Sequence, residues 1–313
     1  MYAADAVGVP PMNTKKIQLF LSLTFGISWT VGLIMYLSGV EYGTMQSTVF
    51  IALFYMTAPA LATVITQKFI YKQRLKEYGL TLKNTVPKNL LIAIVFYLAY
   101  VLLTIGIILL LGNLLGVEGM GQVSFSQDDI LGKIAESMKG SGDISEVKLP
   151  PPAVLFVAGL LGGIVAGFTF NLPFTLGEEL GWRGLFLKET QSMGFWKSNL
   201  LIGTVWGIWH LPIILMGHNY PGQPVAGSLM MILFCIGLSL LHAIVRVKVR
   251  TIYAPAALHG MINAGGPLTL LFVINNNVLI GSIVGVAGVV AALIITLIYL
   301  GIDRQFVAGY KSL

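Results

Sequence analysis

Three short clusters hold side chains able to activate water. Gly177-Glu178-Glu179-Leu180-Gly181-Trp182-Arg183 sets two carboxylates side by side, with Arg183 four residues after Glu179. On a helix that spacing, acid first, is the favourable orientation for an intrahelical ion pair, and it turns Glu178 to a different face. Glu178 is therefore the candidate general base, supported by Glu179 and Arg183. Trp206-Gly207-Ile208-Trp209-His210 adds an imidazole one turn beyond an indole that can wall a pocket. Leu258-His259-Gly260-Met261-Ile262-Asn263 projects a second imidazole and an amide from one helical face, a pair able to bind an oxyanion. Each cluster also has a plain structural use, as an ion pair, a satisfied histidine or an interhelical hydrogen bond. Together they make the parts of a peptidase: a carboxylate and an imidazole to deprotonate water, and an imidazole and an amide to hold the tetrahedral oxyanion. No cofactor is required for that chemistry. The alternative is zinc on Glu178, His210 and His259 activating the same water, although the HExxH spacing of common zinc peptidases is missing. His242, one turn before Arg246, and His218, in Gly217-His218-Asn219-Tyr220, read as structural.

The elements that must position these groups are membrane helices. The chain has 313 residues, of which 56% are hydrophobic and 10% charged, against roughly 25% charged in soluble domains. Apolar runs long enough to cross a bilayer, about 20 residues, extend approximately over 17–40, 49–66, 90–115, 154–176, 199–217, 226–245, 253–274 and 278–300. The expected fold is thus all-α, a polytopic bundle of about eight transmembrane helices forming one domain over 15–313 after a disordered stretch, 1–14. The first cluster falls at the end of the fourth span, the second in the fifth and the third in the seventh.

Lysine and arginine alternate between the loops. They crowd before the first span and after the second, fourth, sixth and eighth, while the loops around Tyr42, Tyr220 and 275–277 have none. Cytoplasmic loops carry that excess, so both termini are expected in the cytoplasm. The net charge of +6 is scattered singly, with no basic patch for nucleic acid. The lone Cys235 excludes an intrachain disulfide. The longest outer loop, 116–153, should hold a short interfacial helix over 126–138, with Asp128 and Asp129 in its first turn. Gly163 with Gly167, and Gly281 with Gly285, are small-xxx-small pairs for close helix approach.

In order and spacing, Glu178-Glu179-x-x-x-Arg183, Trp206-x-x-x-His210 and His259-x-x-x-Asn263 resemble the CAAX protease and bacteriocin-processing family of intramembrane endopeptidases, over about 150–270. The eight-span plan is also similar to its Ras-converting branch. That resemblance implies cleavage of a membrane-associated peptide, either a prenylated CAAX-like C-terminus or a bacteriocin or signal peptide. It implies a cavity open to the cytosol, with Glu178 and His210 holding the water and His259 and Asn263 forming the oxyanion hole. It also suggests a prokaryotic plasma membrane. Trp206 stands where the eukaryote-like motif has phenylalanine. Two rival classes are an ion-coupled transporter, for which Gly265-Gly266-Pro267 would supply a helix break, and a catalytically silent immunity or scaffold protein.

Overall fold

The computed structural model describes residues 11–137 and 148–312. The helices in chain order are α1 (Thr14–Leu37), α2 (Met45–Ile70), α3 (Pro87–Leu114), α4 (Gln127–Ser137), α5 (Pro152–Phe168), α6 (Leu172–Met193), α7 (Phe195–Trp209), α8 (Leu211–Leu215), α9 (Pro224–Val249), α10 (Tyr253–Phe272), α11 (Val286–Ile302) and α12 (Phe306–Gly309). Of the stretch expected to be disordered, residues 1–10 lie outside the described part. Asn13 and Thr14 do not fit that expectation, because Asn13 Oδ1 accepts from Lys16 N at 3.1 Å and caps α1.

Every predicted apolar segment contains helix. By length and composition, four helices can cross a membrane, or five if the bent pair α5–α6 counts as one span. The interfacial helix predicted over 126–138 is α4, packed on α10. The bundle closes around α9, which is 67% buried over its apolar window, against 28% for α1 and α2 and 33% for α3. Gly203 and Gly207 let α7 sit against α9, since a Cβ on them would fall 2.4 and 2.5 Å from the Cα atoms of Ile236 and Ile232. This pair was overlooked in the sequence, and it does the work expected of small-xxx-small spacing. Gly163 and Gly167 do the same between α5 and α10, abutting Tyr97 and Met261. Gly281 and Gly285 do not, because both precede α11 in a turn that packs on the Met120 carbonyl and on Val278 and Leu279.

The fourth span departs most from expectation. It breaks at 169–171 and α6 leaves at 61° to α5. Pro173 in the first turn of α6 favours a new helix start there. The helix then continues to Met193, so Glu178, Glu179 and Arg183 lie within a helix and not at its cytoplasmic end. The expectation failed because Arg183 and Lys188 read as loop charges, whereas Arg183 is fully buried. By contrast α10 runs unbroken through Pro267, with no midplane break of the kind a transporter reading would use.

The two ends of the bundle are built differently. At the lysine- and arginine-rich end, segment 71–86 folds inward as a plug. The Gly79 carbonyl accepts from Ile252 N at 3.0 Å and Thr251 Oγ1 at 3.3 Å, and the Thr81 carbonyl accepts from Thr251 Oγ1 at 2.7 Å. Arg246 lies against Gly79, where a Cβ would come 2.4 Å from its guanidinium, and its Nε donates to the Arg183 carbonyl at 3.2 Å. Tyr78 OH donates to Glu189 at 2.7 Å, and Lys16 meets the same carboxylate at 3.1 Å. Burial, with Glu189 beside it, holds the Tyr78 phenol well above its ordinary pKa, so it stays a donor. The opposite end is a rim of loops. There β1 (Gln122–Val123) pairs antiparallel with β2 (Val273–Ile274), and Tyr42 OH meets His218 Nδ1 at 2.6 Å.

Candidate active site

The three clusters converge. Thr175 Oγ1 donates to the Ala256 carbonyl at 2.9 Å and Asn171 Nδ2 to the Gly260 carbonyl at 2.8 Å, which sets α6 beside α10 and brings Glu179 to His259. From Leu180 to Phe186 the helix widens into a π-helical turn, a local form frequent at functional sites. The expected i, i+4 ion pair is present: Arg183 Nη1 donates to Glu179 Oε1 at 2.9 Å, both side chains fully buried. His259 Nδ1 meets that same oxygen at 3.0 Å. The guanidinium also lies 4.3 Å from the Trp206 ring centroid and donates to Ser239 Oγ at 3.2 Å. Glu179 and Arg183 thus form a solvent-free ionic layer that orients His259.

Glu178 faces the other way, as the helical spacing predicts. Its Oε2 accepts from Trp206 Nε1 at 2.9 Å, and the residue borders a cavity of about 400 Å³. Trp206, His210, His259 and Asn263 border the same cavity. His210 follows the last residue of α7, and Pro212 starts α8. Around that break the Trp209 carbonyl accepts from Tyr55 OH and Trp29 Nε1, and the Trp209 indole donates to Ser28, so the turn carrying His210 is held from three sides. His210 Nδ1 donates to the Trp206 carbonyl at 2.8 Å, which leaves a lone pair on Nε2. That nitrogen can accept a proton or a hydrogen bond from water. With Nδ1 of His259 donating to Glu179, its Nε2 donates toward the cavity only when the ring is an imidazolium.

Two histidines taken as structural stand closer to the chemistry than expected. His218 stacks parallel to His210, rings 6.0 Å apart and 2° from coplanar, and walls the cavity together with Tyr42. No sequence signal marks it, because the contact depends on two loops meeting. His242 lies behind the ionic layer, its ring 5.6 Å from that of His259. Ser239 and His242, one turn apart on an otherwise apolar helix, were a polar stripe that could have been read as facing Arg183.

The zinc alternative fits a different set from the one expected. Metal-ligating atoms come within 4.8 Å of one another at Glu179, His242 and His259, not at Glu178, His210 and His259. Glu179 Oε2 and His242 Nε2 are buried without a partner there, which leaves room for a bridging ligand. A dication would nevertheless share its carboxylate with the Arg183 guanidinium at 2.9 Å. Of these three residues only His259 borders the cavity, so a metal held by them would be remote from a substrate bound against Glu178.

Comparison with known proteins reaches the same part of the chain. Residues 148–265, which contain all three clusters, match the family described as type II CAAX prenyl endopeptidase, Rce1-like. A protein of Methanococcus maripaludis named CAAX prenyl protease 2 is 32% identical over 98 residues, covering 25% of this chain. The chain spans 36% of the length of that relative. The resemblance drawn from the motifs is therefore borne out over the segment that carries them.

Proposed function

We propose that the chain is an intramembrane endopeptidase that cleaves a membrane-associated peptide with water activated by Glu178. A single observation supports this most: a carboxylate pinned by an indole N–H borders the same cavity as an imidazole with a free lone pair. Glu178 takes a proton from the water while His210 Nε2 accepts the other hydrogen bond and orients it. The resulting hydroxide adds to the scissile carbonyl carbon. Asn263 and the His259 imidazolium, held by Glu179, donate to the oxyanion. As the intermediate collapses, the C–N bond breaks and Glu178 returns its proton to the leaving nitrogen. No step needs a metal or other cofactor. Ile213, Phe234 and Ile262 give the cavity an apolar wall suited to a lipidated or hydrophobic peptide. The matched family and the Methanococcus relative support the CAAX-like, prenylated class, and bacteriocin or signal peptides are the other membrane-associated class. A prokaryotic plasma membrane is the proposed location.

The test is cleavage of fluorescence-quenched farnesylated and unprenylated peptides by detergent-purified protein, with and without a chelator. Chelator-resistant cleavage that disappears in Glu178→Gln and His210→Asn supports the mechanism. Undiminished cleavage in both variants refutes the site.

A further inference from the structure

Two expectations drawn from the sequence exclude one another once the cavity is located. One puts the lysine- and arginine-rich loops in the cytoplasm, and the other opens the active site to the cytosol. The cavity is bordered at its rim by Tyr42, His218, Asn219 and Val278, all in loops without lysine or arginine. A second cavity beside it is also lined by Tyr42 and His218, with Ser47 and Thr48. At the basic end the plug of Tyr78, Gly79 and Thr81 is hydrogen-bonded to buried Thr251 and to Ile252, with Arg246 wedged beneath it. None of these plug residues borders either cavity.

We infer, relying on the peptidase reading for the substrate but not for the side, that the cavity opens on the non-cytoplasmic face and takes exported peptides. All but three of the 19 lysines and arginines lie toward the plugged end, and the other three share the segment 116–153 with six acids. Positive charge in short loops sets orientation, so the plugged end is cytoplasmic. A prenylated C-terminus arising in the cytosol would meet the plug. A hydrophobic segment translocated or anchored in the outer leaflet, such as a leader or signal peptide, reaches Glu178 past Tyr42 and His218.

Single-cysteine labelling decides the side. The natural Cys235 is buried, so the unsubstituted chain is the blank. Glu41→Cys at the rim, Lys83→Cys at the plug and Asn219→Cys in the cavity wall are treated with a membrane-impermeant maleimide in right-side-out and inverted vesicles. Thr48→Cys repeats the cavity measurement should Asn219→Cys misfold. Labelling at least tenfold stronger in right-side-out vesicles is expected for Glu41→Cys and the cavity positions, with the reverse for Lys83→Cys. The opposite pattern, or cavity positions that label from the Lys83 side, overturns the inference. Peptides that accumulate with Glu178→Gln, measured in membranes against wild type, are expected to be exported segments. Prenylated cytosolic C-termini would overturn the assigned substrate class. If nothing accumulates and no peptide is cleaved in detergent, the peptidase reading falls and takes the substrate class with it, while the labels still decide the side.

Discussion

Glu178 and Glu179 are neighbours in the chain, yet they look into regions of opposite construction. Around Glu179 every wall is protein: Arg183 and His259 share one of its oxygens, Trp206 covers the guanidinium, and the side chains of the ion pair have no exposed surface. Around Glu178 one wall is an indole and the other is open cavity. A carboxylate whose charge is committed to a buried cation is a poor proton acceptor, whereas one beside empty space can meet a substrate and a water. The difference assigns chemistry to the first acid and positioning to the second, even though the two are identical in type.

Glu178→Gln is the sharpest probe of that division. Gln keeps an acceptor for Trp206 but not a base, so cleavage should fall about 10³-fold, with the melting temperature in detergent unchanged. Loss of stability instead would put Glu178 in the structural layer. Arg183→Met should act the other way, because it strands Glu179 as an unpaired buried charge at a cost of about 3 kcal/mol, measurable by chemical unfolding in micelles. The Glu179→Leu, Arg183→Met double variant should regain most of that stability but remain slow in cleavage, since His259 loses its anchor. If the single and double variants are equally unstable, the ionic layer is not acting as a unit. Asn263→Ala removes one oxyanion donor from the open region and should lower kcat by about 10²-fold with KM little changed. Tyr42→Phe is the mildest test. Losing the hydrogen bond to His218 should cost about 1 kcal/mol and alter KM more than kcat, because the contact shapes the rim.

The three clusters were legible in the sequence because each obeys helical spacing, and a four-residue separation carries its own geometry. Glu179 with Arg183 and His259 with Asn263 could be placed on shared faces without knowing what they faced. The break at 169–171 was hidden by apolar residues on both sides, which make two helices read as one span. Buried charge misled in the same place, since Arg183 and Lys188 look like loop residues until the plug and α9 cover that stretch. His218 and Tyr42 lay beyond reach, because their meeting depends on two loops 176 residues apart. The cavity's direction was legible in part. The charge pattern distinguished the two ends, but only the packing of Gly79 against Arg246 revealed which one is stopped.

The π-helical turn from Leu180 to Phe186 makes this stretch sensitive to chain length as well as residue identity. A π turn contains one residue more than the α-helical ladder requires. Deleting a single residue after Arg183 would let the helix relax into regular winding and rotate everything beyond by about a quarter turn. Glu189 would then swing away from Tyr78 and Lys16, and the Arg183 carbonyl from Arg246. Insertions and deletions here should therefore be far rarer among descendants of this chain than substitutions. The spare residue acts as a spacer that keeps the catalytic acid and the basic end of the bundle in register.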